Sequence, residues 1–468
     1  MTTNNETVFA IAGPVDAAKS TLIGVLTCGE LDNGNGLARN KILIHPHEKE
    51  SGRTSHITYN SVLYKYDDGV INLHNAKNEY IKKIGYTHNG DNEKIVSFLD
   101  LAGHEKYMGT TLFGITGLFP DYGIVVIAAN TGITKLTREH LGILLYLKIP
   151  IIITITKIDL APTQIYMDLC NQLKQLLTRN ISCKLKPHDS LHKSLYFINA
   201  SSKNISNDET NHYIMKMLGN PDIIPIISLS NKDGRNIDNL HKILYTLPKR
   251  DKWTNCKIDG TIYYIDSAFN VSGIGLVVAG TCRGEPIKIK QKLYLGPFNG
   301  TFKEVVVRSI HNSIRENIVE TNIGTQCCLA IKSTNQKDEI NKSSIMKGMI
   351  LLDSVDKYIH NITRTFWARI NVLHHSSTIR TGYCPTIHCG PIRQAARLEI
   401  ENNAMGSNAM ENMGSAMGNA MGPNVLRTGD NCIVKFTFVS HAEFVEESMT
   451  FFFRDGTTKG LGQILKLS

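Results

Sequence analysis

The sequence predicts a mostly parallel, doubly wound α/β domain over residues 1–250, followed by two all-β barrel domains over residues 256–358 and 362–468. In the first half, short apolar runs rich in isoleucine and valine alternate with helical stretches, which is typical of a parallel sheet covered on both faces. From about residue 256 onward, glycine-rich turns separate short strands and no long helical period occurs. A polar, basic stretch at residues 248–256 separates the α/β pattern from the all-β pattern and is the predicted linker.

The elements of the first domain are predicted in chain order from these runs. Continuous apolar runs of strand length occupy residues 8–12, 96–99, 122–129, 151–155 and 223–229. Stretches with helical character occupy residues 19–26, 136–147 and 237–247. Because strands and helices alternate, we interpret the domain as an α/β P-loop fold with its ligand at the carboxyl ends of the strands.

The second half contains further predicted strands and one biased tract. Residues 432–439 and 448–453 are predicted strands of the second barrel. Residues 404–423 are almost entirely methionine, asparagine, glycine and alanine, a composition that cannot form a packed core. We expect this tract to be a disordered loop between two strands. Residues 160–222 form a long insertion, whose sequence does not indicate a partner.

Composition excludes several classes of protein. The chain has 51 Lys and Arg against 42 Asp and Glu, a net charge of +9 that suits a phosphate-backbone partner without requiring one. The ten cysteines are irregularly spaced, unlike a secreted disulfide scaffold. The start lacks the pattern of a signal peptide, and the most apolar stretch, residues 141–155, is too short to span a bilayer. We expect a cytoplasmic monomer with reduced thiols.

A phosphate-binding loop is predicted at residues 13–21, GPVDAAKST, between the first strand and the first helix. Backbone N–H groups of such a loop and the helix dipole favour a bound phosphate. The Lys19 ammonium supplies a charge to the β- and γ-phosphates, and the Ser20 hydroxyl can bind Mg²⁺. The remaining predicted phosphate contacts come from the other residues of the loop: Gly13, Asp16, Ala17, Ala18 and Thr21.

Polar residues follow three further predicted strands. Asp100 ends the strand at residues 96–99 and can hold Mg²⁺ through water, while the N–H of Gly103 can approach the γ-phosphate. Asp159 can accept both N1–H and N2–H of guanine, which adenine cannot match. The stem of Lys157 can cover the base. The other predicted guanine contacts are Thr156, Ser230 and Asn231. Together these loops predict binding of GTP or GDP.

These segments resemble the translational GTPases of the elongation factor Tu and elongation factor 1-alpha class, and within that class the GTP-binding protein 1/2 group. The resemblance covers nearly the whole chain and rests on residues 13–21, 24–34, 38–41, 50–55, 100–107, 137–141, 156–159, 269–281, 388–395 and 453–462. Thr156 stands where most GTPases have asparagine, and a threonine at this position resembles the sequences of this group specifically.

The resemblance implies a GTP-hydrolysing switch that acts with aminoacyl-tRNA and the ribosome. It implies that Thr54 binds Mg²⁺ and senses the γ-phosphate, that His104 positions the attacking water, and that Asp16 can help hold a monovalent cation. No arginine from the chain itself is expected to assist hydrolysis, so a partner is expected to activate it. The family's usual N-terminal extension is expected to be missing.

Departures from the family pattern leave alternatives open. Ala18 replaces a glycine; we expect it to adopt a negative φ and to weaken binding or slow hydrolysis without abolishing it. Arg53 replaces an aliphatic gate residue that elongation factor Tu pairs with the counterpart of Val15. One alternative is a GTP-regulated factor in RNA turnover or ribosome rescue with little intrinsic hydrolysis. Another is the GTPase subunit of a sulfate-activating enzyme, against which the motifs at residues 50–55 and 156–159 argue.

Overall fold

The computed structural model of the chain describes residues 5–43, 45–51, 54–86, 92–178, 194–198, 223–251, 258–335, 340–400, 425–456 and 458–468. The tract at 404–423, Arg53 and most of the insertion at 160–222 lie outside these residues. The chain divides into two units, of which one holds the α/β domain and the other holds most of both barrels.

The first domain is built on a nine-stranded sheet with the order β4-β3-β2-β5-β1-β6-β7-β9-β8. Its strands are β1 (Glu6–Ala12), β2 (Thr58–Asp67), β3 (Val70–Asn75), β4 (Tyr80–Gly85), β5 (Glu93–Asp100), β6 (Tyr122–Ala128), β7 (Ile151–Thr156), β8 (Ser194–Ile198) and β9 (Ile223–Ser228). The strands from β5 to β8 in this order pair in parallel, and β2 to β4 add an antiparallel extension beside β5.

The central strands form because they are apolar along their whole length. Every residue of β1, β6 and β7 is buried, as expected for a sheet with helices on both faces. Strand β8, which belongs to the 160–222 insertion, adds a parallel edge beside β9. The predicted mostly parallel fold class is confirmed.

Seven helices are described in this domain: α1 (Lys19–Cys28), α2 (Leu37–Ile42), α3 (Pro46–Ser51), α4 (Met108–Thr116), α5 (Lys135–Tyr146), α6 (Thr163–Thr178) and α7 (Ile237–Thr246). A capping box between Thr134 and Thr137 fixes the start of α5. The buried ammonium of Lys94 donates to the carbonyls of Leu244, Tyr245 and Leu247 and so satisfies the C-terminal end of α7.

The extension from β2 to β4 is not predicted by the sequence. Its strands are only partly buried, so their apolar residues do not form the long runs that identify the central strands. The extension is held by ring packing, since Tyr64 and Tyr66 both contact Tyr245 of α7. The Tyr64 hydroxyl also lies 2.9 Å from Nδ1 of the buried His241.

Both barrel domains are antiparallel. The first comprises β10 (Thr261–Val271), β11 (Gly275–Gly284), β12 (Lys292–Phe298), β13 (Thr301–Asn312), β14 (Asn317–Ile318), β15 (Gln326–Ser333) and β16 (Ile350–Leu352), and pairing of β12 with β13 closes it. The second is a closed barrel of β18 (Thr365–His374), β20 (Thr386–Cys389), β21 (Ile392–Glu399), β23 (Asn431–Phe438), β25 (Thr450–Asp455) and β26 (Thr458–Leu467). Two short ladders complete it: β17 (Ile362–Thr363) with β24 (Glu443–Phe444), and β19 (Ile379–Arg380) with β22 (Val425–Leu426).

An ion pair between a buried arginine and a half-buried glutamate joins the two barrels. The Arg283 guanidinium of β11 contacts the Glu446 carboxylate, and the hydroxyl of Tyr264 lies 3.1 Å from Arg283 Nη1 and 3.0 Å from Glu446 Oε2. The ring of Phe444 packs against both Tyr264 and Tyr358 beside this pair. The barrels therefore share a small interface with a charged, hydrogen-bonded centre.

None of the helices in the described part of the chain combines the length and the apolarity that crossing a bilayer requires.

Candidate nucleotide-binding site

A cavity of about 680 Å³ opens at the carboxyl ends of the parallel strands. Its walls come from the loops that follow β1, β5, β7 and β9, together with the segment before α2, α2 itself and the segment after α3. The lining residues are Val15, Asp16, Ala18, Lys19, Ser20, Thr21, Asp32, Asn33, Gly34, Asn35, Gly36, Arg39, Thr54, Gly103, His104, Lys157, Asp159, Leu160, Asn231 and Lys232. This is the position at which open α/β sheets bind their ligands.

The loop between β1 and α1 has an unusual backbone. Gly13 has a φ of 151°, and a Cβ there would clash with the carbonyl of Val126. Asp16 and Ala18 have φ values of 61° and 65°, in the left-handed region that favours glycine. The expectation of a negative φ at Ala18 is therefore wrong. The loop imposes on Ala18 the left-handed conformation that glycine adopts without a steric cost. Ala18 therefore carries a steric cost at the N-cap of α1.

The Lys19 ammonium lies at the centre of this loop. Its Nζ donates to the carbonyl of Pro14 at 2.9 Å, and burial lowers the pKa of Lys19 while Asp100 and Asp16 oppose the shift. The backbone of Gly103 passes close to this ammonium, because a Cβ at Gly103 would collide with Lys19 Nζ and lie 2.8 Å from the Gly13 carbonyl oxygen. Glycine at position 103 is thus required by close packing between two loops.

Three oxygen-bearing side chains meet beside Lys19. The Ser20 hydroxyl donates to Asp100 Oδ2 at 2.6 Å and lies 2.8 Å from the Thr54 hydroxyl, which donates to the same Oδ2 at 3.1 Å. Asp100 Oδ1 is buried and has no hydrogen-bond partner among the described residues. Burial raises the pKa of Asp100, whereas Lys19 and the two hydroxyls lower it. An oxygen-only donor set with an unused carboxylate oxygen fits a hard cation such as Mg²⁺.

His104 stands at the mouth of the cavity and is exposed. Its Nδ1 accepts a hydrogen bond from the backbone N–H of Lys106 at 3.1 Å, which caps a short 3₁₀ turn at Glu105–Tyr107. Neutral imidazole carries one proton, so this bond places the proton on Nε2. The ring also packs edge-on against Tyr107, which restrains its direction.

Lys157, Asp159 and Asn231 line the cavity from the loops that follow β7 and β9, which β6 separates from β1 and β5 in the sheet. The amide oxygen of Asn231 is buried and has no hydrogen-bond partner among the described residues, so a donating ligand can bind to it. Lys157 has a left-handed backbone, with a φ of 57°.

Five predicted site residues are held behind the cavity and do not line it: Gly13, Ala17, Asp100, Thr156 and Ser230. The Thr156 hydroxyl donates to the Ala17 carbonyl at 2.9 Å and so ties β7 to the phosphate-binding loop. The Ser230 hydroxyl accepts from the N–H groups of Lys232 and Asp233, both at 3.3 Å, and so shapes the turn that presents Asn231.

The cavity also contains residues to which sequence reasoning gave no role: Asp32–Gly36, Arg39, Leu160 and Lys232. The Asp32 carboxylate accepts from the N–H groups of Gly34 and Ala38, and its own N–H donates to the Asn231 carbonyl at 2.8 Å. The clustered Asp, Asn and Gly of this segment were the available signal, because such residues form tight turns. Arg39 adds a guanidinium to a cavity that the lysines at positions 19, 157 and 232 also line.

Comparisons with known proteins agree with this geometry. The sequence model of the elongation factor Tu GTP binding domain matches residues 4–250. GTP-binding protein 1 from Xenopus laevis is 35% identical over 99% of this chain, and the chain spans 63% of that relative's length. GTP-binding protein 2 from Homo sapiens is 32% identical over 97% of this chain, and the match covers 68% of that relative's length.

A solved structure is similar along the whole chain. The crystal structure of a bacterial selenocysteine-specific elongation factor aligns with 99% of this chain, with a TM-score of 0.63 and 18% identity. The alignment covers 59% of the length of that elongation factor. At that identity the likeness supports the three-part fold alone. The family model and the two relatives together confirm the resemblance seen in the sequence. The chain therefore belongs to the translational GTPases that carry the elongation factor Tu GTP binding domain, and within them to the family of GTP-binding proteins 1 and 2.

Proposed function

We propose that this chain binds GTP in the cavity and hydrolyses it to GDP and phosphate as a molecular switch. One observation carries the proposal. Lys19, the hydroxyls of Ser20 and Thr54, and the backbone of Gly103 cluster at the loops that follow β1 and β5. Asp159 lines the same cavity from the loop that follows β7, on the other side of β6 in the sheet. A positive, N–H-rich region and a separate carboxylate match a nucleotide whose phosphates are anionic and whose guanine edge donates hydrogen bonds.

The phosphates are held by the chain's own charges and N–H groups. Lys19 contacts the β- and γ-phosphates, and the loop of residues 13–21 surrounds the β-phosphate with backbone donors. Ser20, Thr54 and, through water, Asp100 would hold Mg²⁺, which when bound supplies positive charge against the β- and γ-phosphate oxygens. Asp16 also lines the cavity and is our candidate for helping to hold a monovalent cation.

The base is read by the loops that follow β7 and β9. Asp159 accepts the N1–H and N2–H of guanine, the stem of Lys157 covers the base, and Asn231 lies beside them. Thr156 and Ser230 act indirectly, because their hydroxyls form hydrogen bonds with the backbone of the loops that line the cavity. The proposed preference for guanine follows because adenine has an acceptor at N1 and a C–H at C2 where guanine has two N–H donors, so adenine would leave the carboxylate unpaired.

Hydrolysis requires a water molecule aligned with the γ-phosphorus. Water attacks, the bond from the γ-phosphorus to the bridging oxygen breaks, and GDP and phosphate separate. His104, with its proton on Nε2, donates to the water or to a phosphate oxygen and therefore orients the reactants rather than abstracting a proton. Loss of the γ-phosphate frees Thr54 and Gly103, so the segments at about 45–55 and 100–110 act as the switches.

We propose aminoacyl-tRNA and the ribosome as the partners of a cytoplasmic monomer. The support is the membership of the chain in the elongation factor Tu class of GTPases and the excess of 51 basic over 42 acidic residues. We further propose functional domains at residues 1–250, 256–358 and 362–468. The alternatives in RNA turnover, ribosome rescue or sulfate activation find no support in the names of the relatives.

Single-turnover and multiple-turnover GTP hydrolysis test the proposal, measured with and without ribosomes and aminoacyl-tRNA. We expect slow intrinsic hydrolysis, strong stimulation by the ribosome complex, and loss of that stimulation in His104→Ala with GTP binding retained. The matched control is His74→Ala, which removes an imidazole from β3 outside the cavity. Tight GTP binding without turnover under all conditions would contradict hydrolysis, and unchanged stimulation of His104→Ala would contradict the role of this residue.

A further inference from the structure

A cluster of imidazoles and one carboxylate lies at α3 and at the segment between Thr54 and β2. Metal-ligand atoms of His47, Glu48 and His56 all lie within 4.8 Å of one another. The ring of His45 lies beside them, with its centroid 5.4 Å from that of His47 and 4.8 Å from that of His56. This set shares no residue with the proposed nucleotide and Mg²⁺ contacts.

The ligand atoms converge on one point. His47 Nε2 lies 3.0 Å from the Ser55 hydroxyl oxygen, and His56 Nδ1 lies 2.8 Å from the same oxygen. Glu48 Oε1 accepts from this hydroxyl at 2.8 Å. Two ring nitrogens and a carboxylate oxygen therefore surround the Ser55 hydroxyl oxygen. A tetrahedral Zn²⁺ holds its ligand atoms about 3.3–3.5 Å apart. The three atoms lie within 4.8 Å of one another, so a bound metal draws them closer and displaces the Ser55 hydroxyl.

Glu48 supplies the independent observation. Its side chain is fully buried, yet Oε2 has no hydrogen-bond partner among the described residues. Oε1 accepts from the N–H of Ser55 at 2.7 Å and from that of His56 at 3.2 Å. A buried carboxylate oxygen without a partner is costly, and a cation bound by the carboxylate reduces that cost.

We propose that His47, Glu48 and His56 bind a divalent transition-metal ion of the Zn²⁺ class. Two imidazoles and a carboxylate form a ligand set that Zn²⁺ accepts with a fourth position left to water, and neutral imidazole is a poor ligand for Mg²⁺ or Ca²⁺. Bound there, the metal joins α3 to the segment that carries Thr54, two residues before His56. The binding step does not rest on GTP hydrolysis.

Calorimetric titration of the nucleotide-free protein with Zn²⁺ tests the site. Wild type is expected to bind one Zn²⁺ that the double variant His47→Gln/His56→Gln binds more than about 100-fold more weakly, because two of the three protein ligands are gone. His360→Gln removes an exposed histidine elsewhere and is expected to retain the site. Ser55→Ala removes the hydroxyl at the convergence point, leaves all ligands, and is expected to bind Zn²⁺ at least as tightly as wild type.

Two results would overturn the proposal. One is a double variant that binds Zn²⁺ with the stoichiometry and affinity of wild type, which would assign the binding to other groups. The other is a Co²⁺ spectrum of wild type with strong thiolate-to-metal charge-transfer bands, which would assign the bound metal to cysteines. Circular dichroism of each variant establishes that it is folded, and the Co²⁺ spectrum of wild type is informative even where a variant is not.

Discussion

Replacing Ala18 with glycine is predicted to stabilise the first domain, whereas the same replacement at the adjacent Ala17 is predicted to destabilise it. Ala18 has a φ of 65° and a ψ of 32°, in the left-handed region. Ala17 lies outside the positive-φ residues, and its side chain is buried. The two neighbours thus differ in backbone conformation while the chemical change is the same.

The magnitudes follow from this difference. The left-handed conformation costs an L-residue about 1–2 kcal/mol, which glycine removes at position 18. Glycine also adds freedom to the unfolded chain, which costs about 0.4–1 kcal/mol at either position. At position 17 there is no relief, and the loss of a buried methyl adds about 0.8 kcal/mol. We therefore expect a gain of about 1 kcal/mol for Ala18→Gly and a loss of about 1–2 kcal/mol for Ala17→Gly.

Thermal unfolding measures both effects. For a domain of this size, 1 kcal/mol shifts the midpoint by about 2–4 °C. Ala18→Gly is expected to raise the midpoint of the first unfolding transition by about 2–4 °C, and Ala17→Gly to lower it by about 2–8 °C. If both variants lower the midpoint equally, the left-handed conformation of Ala18 does not carry the cost assigned to it and the reasoning fails.

Three further predictions concern buried charges. Arg283→Met removes the buried guanidinium that pairs with the half-buried Glu446, which keeps the Tyr264 hydroxyl as a donor, and is expected to lower the free energy of unfolding of the barrel unit by about 1.5–3 kcal/mol in denaturant titrations. Lys94→Met removes the donor to three carbonyls and is expected to cost about 2–3 kcal/mol, seen as faster amide exchange at the end of α7. Burial raises the pKa of Asp266 to about 6, so the folded state binds an extra proton below that pH and loses this stabilisation as the pH rises through 6. Asp266→Asn does not ionise, and its stability relative to wild type is expected to improve by about 2–3 kcal/mol from pH 4 to pH 7.5.

The parallel core of the first domain was predictable because burial on both faces demands uninterrupted apolar strands. The runs at residues 122–129 and 151–155 carry that signal plainly, and the structure places β6 and β7 there. The site loops followed from the same logic, since the chemistry-bearing residues come directly after these strands. Their convergence on one cavity is a property of parallel sheets.

Other features depend on tertiary context that a single sequence does not display. The strand extension from β2 to β4 is stabilised by packing of Tyr64 and Tyr66 on Tyr245, a contact between residues far apart in the chain. The left-handed φ of Ala18 is imposed by the loop against the local preference of alanine. The contribution of Arg39 to the cavity depends on how α2 is placed beside α1, which the short helix itself does not reveal.

The central claim is that this cavity binds guanine nucleotides through Asp159. Equilibrium binding of GTP, ATP and XTP to wild type and to Asp159→Asn tests it most directly, with Asp168→Asn on the exposed face of α6 as the matched control. Xanthine has a carbonyl where guanine has its N2 amino group, so the amide of Asn can pair with it. We expect wild type to prefer GTP strongly over ATP, and Asp159→Asn to lose about 1.5–3 kcal/mol of GTP binding, about 10–150-fold, while gaining XTP binding. Equal binding of GTP and ATP by wild type, or an Asp159→Asn variant with unchanged preference, would contradict the claim.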